Sequence, residues 1–255
     1  VVLPAVSPDP PGLRDLTGLT GLRDLARPVS SARENLLPVA GPLVPLLPDG
    51  GLVRGRTVTI TGPGATSLAL HLMVDASRAG SWVAVVGLCD LAPVAVVDAG
   101  LDPSRVAFID PGVSGRQAEV IAALVGAVDI VMVDARLALR AAEVRRVASR
   151  LRERGSVLLV VRPGFDATSW GSVGASSTSW SADLAFTVRA DAWEGPERGS
   201  GHLCSRRVCI ETGGRGRAAR PRQHALRLPD VDGCLRADAP DDGLPSDTPV
   251  IVLVR

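Results

Sequence analysis

The sequence predicts a doubly wound α/β domain with a mostly parallel sheet and an antiparallel carboxy-terminal extension. Three observations carry this expectation. Five short segments between 57 and 161 are almost continuously apolar, as strands buried on both faces of a parallel sheet are. Segments with helical periodicity alternate with them and close on Gly80, Gly100 and Gly155. From 184 onward strand-like runs follow one another with no helix between, which is the pattern of hairpins.

In chain order, residues 1–36 form a Pro/Leu-rich leading segment. Nine of the 20 prolines fall in the first 50 residues, so long regular elements are not expected there. Within it, GLRDLTGLTGLRDLA sets leucines at 13, 16, 19, 22 and 25. A three-residue step falls about 60° short of a helical turn, so these leucines spiral around a helix instead of forming a stripe. Gly18 and Gly21 each cost about 1 kcal/mol of helix stability. The segment reads either as a marginal helix that orders on docking or as a flexible leader.

The core is expected over 37–230. Its strands are TVTIT (57–61), WVAVVGL (82–88), RVAFID (105–110), DIVMVD (129–134) and VLLVV (157–161). Helices are expected over 67–80, from Pro93 to Gly100, over 115–127 and over 137–155. A Ser/Gly/Trp-rich loop, 162–183, leads to strands at 184–190, 206–212 and 223–228. Residues 231–255 read as an acidic, proline-rich flexible tail that closes on the apolar VIVLVR.

Composition narrows the function classes. No apolar run reaches the roughly 18 residues of a membrane span, because Asp90, Pro93 and Asp98 interrupt the longest candidate. The first residues lack a basic stretch ahead of an apolar one, so a cytoplasmic protein is expected. Four cysteines in 255 residues are too sparse for a disulfide framework. His202, Cys204 and Cys209 give H-x-C-x4-C, a poor zinc spacing, so no metal is expected. All 28 basic residues are arginine, which excludes any mechanism resting on a lysine of this chain.

The stretch TITGPGATSLALHL, 59–72, carries the most information about function. A strand runs through Gly-Pro-Gly into an apolar helix, the setting of a phosphate-binding loop. The longer segment GGLVRGRTVTITGPGATSLALHLMVDASRAG resembles the opening of the RecA recombinase core. GAVDIVMVDARLAL resembles its Walker B strand, and RRVCIETGGRGRAARPRQHALRL its closing hairpin. The resemblance runs from about Leu37 to Asp230 and implies a RecA-like, P-loop NTPase-type fold. Within that superfamily the chain is similar to the RecA-like accessory subunit of bacterial mutagenesis cassettes, ImuA and its form ImuA-prime. That likeness implies two partners, an ImuB-like Y-family polymerase homologue and an error-prone C-family polymerase.

A working phosphate loop is Gly, four residues, Gly-Lys-Ser/Thr. Setting Thr66 and Ser67 on the hydroxyl pair places Gly64 at the second glycine and Ala65 at the lysine. Gly62 then lies only two positions before Gly64, and the loop is about three residues short. Losing the lysine and two or three amide donors, each worth about 1.5–3 kcal/mol, reduces nucleotide affinity by several orders of magnitude. The family's water-activating glutamate falls near Cys89 and Asp90, and its glutamine sensor at Val161 and Arg162. Asp134 alone keeps the family's identity, as the Walker B carboxylate, although an Asp closing a buried strand is also a common cap. Gly62, Gly64, Ala65, Thr66 and Asp134 thus read as a degenerate nucleotide site, with no catalytic residue and no cofactor. His71 reads as a core residue.

Two features remain for partners. Trp170 and Trp180 in the 162–183 loop either stack on bases or plug a sheet edge. From Arg198 to Arg227 eight arginines face one acid, Glu211. Arg206, Arg207, Arg215, Arg217, Arg220 and Arg222 are the candidates for holding an acidic partner or weakly contacting DNA, unless they form a solvated face balanced by the acidic tail. The expectation is a non-catalytic RecA-like adaptor in damage-induced translesion synthesis. Its rivals are a residual ATP- and single-stranded-DNA-binding recombinase-like protein and a SulA-like inhibitor of cell division.

Overall fold

A computed structural model describes residues 35–112, 115–164, 180–195, 201 and 203–238. The leucine repeat, Trp170, Arg198, His202 and the VIVLVR segment lie outside them. The strands are β1 (Leu36–Leu37), β2 (Leu52–Val53), β3 (Thr57–Gly62), β4 (Val83–Val86), β5 (Val106–Ile109), β6 (Ile130–Asp134), β7 (Val157–Pro163), β8 (Leu184–Glu194), β9 (Ser205–Gly214), β10 (Arg222–Arg227) and β11 (Arg236–Ala237). The helices are α1 (Ala65–Arg78), α2 (Pro93–Asp98), α3 (Gln117–Val125) and α4 (Ala141–Arg154), and 3-10 turns span Gly41–Leu46 and Gly216–Ala219.

Nine strands form one sheet in the order β11-β10-β9-β8-β3-β7-β6-β4-β5, and β1 pairs with β2 apart from it. Alternation of side chains along each central strand feeds two cores. Ile130, Met132, Val157, Leu159 and Val161 pack on one face with Leu68, Leu72 and Met73 of α1 and Val96 of α2. Val131, Val133, Leu158 and Val160 pack on the other with Ile121 of α3 and Val144, Val147 and Leu151 of α4. This is the doubly wound arrangement, and it explains why those strands are apolar throughout. Among the described residues the β8–β10 strands are covered on one face only, by the α1 side, so Phe186, Val188, Val208, Ile210 and Leu226 alternate with mostly polar or small residues.

Two expectations need correction and one holds. Not every strand of the parallel set is buried on both faces: β5 is the sheet edge, and Phe108 is 41% exposed. The carboxy-terminal extension is antiparallel as expected, β8 to β9 and β9 to β10, and β8 joins it to the parallel set by pairing with β3, Val58 opposite Leu184. Leu184 lies at the Val58 end of β3 and Pro163, where β7 stops, at its Gly62 end, so β7 and β8 run in the same sense on either side of β3. Finally, the fold does not end at Asp230. Asp230 accepts the N–H groups of Asp232 (2.9 Å) and Cys234 (2.8 Å), and this turn delivers β11 antiparallel onto β10.

Candidate functional site at the carboxy ends of the parallel strands

β3 passes into α1 through two residues, Pro63 and Gly64. Gly62 has φ 103°, and a Cβ there would lie 2.1 Å from the Val188 carbonyl oxygen, so only glycine lets β3 lie this close to β8. Gly64, φ 87°, is the N-cap of α1 and supplies no side-chain acceptor. Ala65 is the first helical residue and is fully buried, with Thr66 next to it. The structure therefore brings Gly62, Gly64, Ala65 and Thr66 to one point, with an apolar methyl at the position aligned with lysine.

Asp134 closes β6 at the same end and is 2% exposed. Its carboxylate accepts the Arg136 backbone N–H at 2.7 Å, Arg136 Nε at 2.9 and 3.1 Å, and Arg136 Nη2 at 2.6 Å. The same Nη2 reaches Asp90 Oδ2 at 3.4 Å. Arg136 thus lies between the two carboxylates that sequence alignment sets near the Walker B and water-activating positions. Hydrogen bonding to Asp134, then its charge, holds the guanidinium pKa above the ordinary arginine value. Arg136 escaped the sequence reading. Its signal was a D-x-R step at a strand end, two residues beyond a buried carboxylate.

The candidate arginines fall into two groups at the two ends of β9. Arg206 and Arg207 open β9 at the nucleotide-loop end, while Arg215, Arg217, Arg220 and Arg222 follow its far end. Arg222 stands opposite Thr212, five residues along β9 from Arg207, so the two groups lie at least roughly 17 Å apart. Several are also engaged internally. Arg207 pairs with Asp238 at 2.7 Å and Arg217 with Asp49 at 3.2 Å. Arg222 Nη1 donates to the carbonyls of Pro45 (2.9 Å) and Leu47 (3.3 Å), holding the 3-10 turn. Arg206 is the exception at its end: its guanidinium stacks over Trp193, 5.2 Å from the ring centroid, and a Cβ on Gly64 would lie 3.6 Å from its Nη1. Burial pulls its pKa below the ordinary arginine value.

Of the remaining candidates, Trp180 is half-buried against the α3/α4 core. His71 is buried in α1. Its Nδ1 donates to the Ser67 carbonyl at 2.8 Å and its Nε2 has no hydrogen-bond partner, so this core histidine is only half satisfied. Among the described residues no three His, Cys, Asp or Glu side chains gather as metal ligands, and no helix is long and apolar enough to cross a membrane.

This sheet order and helix placement define a RecA-like fold. The chain superposes on the crystal structure of the RadB recombinase with a TM-score of 0.51 at 19% identity, over 74% of this chain and 94% of that one. A family model described as the MT3502 N-terminal domain matches residues 45–167. The uncharacterized protein Rv3395c of Mycobacterium tuberculosis is 37% identical over 124 residues, 48% of this chain and 58% of that protein. RecA of Rubrobacter xylanophilus is 41% identical over 97 residues, covering 35% of this chain and 28% of RecA. RecA of Clostridium novyi is 34% identical over 96 residues. The chain thus spans about a quarter to three fifths of the curated relatives it matches.

Proposed function

We propose that this chain is a RecA-like adaptor that uses the recombinase scaffold without nucleotide chemistry, serving a Y-family-like polymerase homologue and an error-prone C-family polymerase in damage-induced synthesis. The observation that carries the reading is Arg136. A Walker B carboxylate has to receive the metal–nucleotide complex, whereas Asp134 spends its lone pairs on a guanidinium and a backbone N–H. The lysine-free sequence and the two-residue link into α1 agree with it. The partners are drawn from the sequence resemblance to ImuA-prime.

Titrating labelled ATP with Mg²⁺ into the purified protein tests the chemistry. No saturation below millimolar nucleotide is expected. A micromolar dissociation constant, or hydrolysis stimulated by single-stranded DNA, favours the recombinase-like reading instead. Co-purification with the Y-family homologue of the same genome tests the adaptor role.

A further inference from the structure

Three exposed large apolar side chains belong to the end of the extension that lies beside the α1 loop. Trp193 is the penultimate residue of β8 and is 40% exposed, Leu203 lies two residues before β9 and is 55% exposed, and Val231 lies four residues after β10 and is 69% exposed. Backbone bonds tie these positions together: Cys204 N–H donates to the Glu194 carbonyl and Arg206 N–H to the Pro229 carbonyl, both at 2.9 Å. The β8–β9 register shifts between Ala190 and Trp193, and this irregularity sets Trp193 opposite Arg206.

Among the described residues, Arg206 is the one cation at this end without an acid. Its neighbours Arg207 and Arg227 are held by Asp238 and Glu194, whereas Arg206 meets no carboxylate among the described residues and rests on the indole. A guanidinium fixed by stacking has already lost the side-chain freedom that binding would otherwise remove, and its planar fork matches a carboxylate bidentately. Tryptophan and arginine accompanied by exposed apolar side chains is the composition of an interface hot spot. A nucleic acid strand is the poorer match, because its affinity depends on neutralising several phosphates and, among the described residues, only one cation here is uncompensated.

We propose that Trp193 and Arg206, with Leu203 and Val231, form the docking surface for a carboxylate-bearing apolar segment of a partner protein. The inference rests on the adaptor reading and names the surface and the chemistry of its ligand.

The test is calorimetric titration of the full chain and its variants with the Y-family homologue, beside a labelled 20-nucleotide oligodeoxythymidine. Arg206→Glu is expected to weaken the protein complex at least about 30-fold, and Trp193→Ala and Leu203→Asp about 10-fold or more. Arg145→Glu, on an exposed position of α4, should stay within about 3-fold. Melting temperatures are read for every variant, and Leu203→Asp, on an exposed side chain, guards against misfolding. If the wild type binds and Arg206→Glu and Leu203→Asp bind equally well, this surface is wrong and the adaptor reading stands. If the wild type does not bind the homologue, both fall. Oligonucleotide binding that Trp193→Ala abolishes, with the protein complex intact, reassigns the surface to nucleic acid and overturns the proposal.

Discussion

Arg136 Nη2 lies 2.6 Å from Asp134 Oδ2, joining an exposed guanidinium to a carboxylate that is 2% exposed at the end of β6. The backbone reversal after Asp134 brings the two together within three residues, and Asp134 Oδ1 also accepts the Arg136 N–H. Removing the side chain leaves a buried carboxylate short of donors. Arg136→Ala is therefore expected to lower stability by about 1–2 kcal/mol, the low end because its head is solvated. Asp134→Asn should cost a similar amount, and the double variant less than the sum. Urea denaturation of the four proteins checks this. Strict additivity would mean that the pair is not coupled.

The two loop glycines are predicted to differ. Gly62→Ala drives a Cβ to 2.1 Å from the Val188 carbonyl at a φ of 103°, and neither strand can yield without breaking its ladder. A loss of about 2–4 kcal/mol is expected. Gly64→Ala finds its nearest atom at 3.6 Å and should cost only the left-handed backbone penalty, about 1–2 kcal/mol. Thermal melts of the two variants separate these outcomes, and equal losses would contradict the close approach of β3 and β8.

His71 gives a pH dependence. Burial holds its pKa below the ordinary histidine value, against weaker opposing effects of the Ser67 carbonyl and Asp230. Above about pH 6.5 folded and unfolded chains both carry a neutral ring, and its contribution is constant. Below that the unfolded chain takes up a proton the native state resists, so stability falls as pH falls, with a slope of at most about 1.4 kcal/mol per pH unit. His71→Leu should flatten the stability profile between pH 7.5 and 5. A variant profile parallel to the wild type's would remove His71 as the source.

Arg222 is expected to act within the fold. Its bonds to the Pro45 and Leu47 carbonyls tie the Gly41–Leu46 turn to β10. Arg222→Ala should cost about 0.5–1.5 kcal/mol and speed amide exchange at Leu43 and Leu47, whose N–H groups bond within that turn. Exchange read by mass spectrometry over 41–50 tests this, and unchanged rates there would leave Arg222 available to a partner.

Much of the fold was legible in the chain, because burial on both faces writes itself as continuous apolar runs. The runs at 57–61, 129–134 and 157–161 became β3, β6 and β7 almost residue for residue. The run at 105–110 looked the same and became an edge strand, since nothing local distinguishes a strand with two neighbours from one with a single neighbour. The boundary at Asp230 was misplaced for a related reason. Acidic, proline-rich composition reads as tail, and the turn that Asp230 builds with Asp232 and Cys234 is a matter of side-chain geometry.

By itself, the sequence determined the absence of lysine, the Gly-Pro-Gly passage from strand to helix, and the alternation of strands and helices that winds the sheet on both faces. These are properties of residue identity and period, and they survive any rearrangement in space. Only the tertiary structure decided what the charges do. Eight arginines counted along 198–227 made one basic segment, but an extended strand carries its two ends roughly 30 Å apart, so Arg206 and Arg217 belong to opposite ends of the sheet. Electrostatic energy depends on distance and burial, not on sequence separation. Hence Arg207, Arg217 and Arg222 are absorbed by Asp238, Asp49 and the 3-10 turn, Arg136 covers Asp134, and Arg206 is left stacked on Trp193 beside the loop.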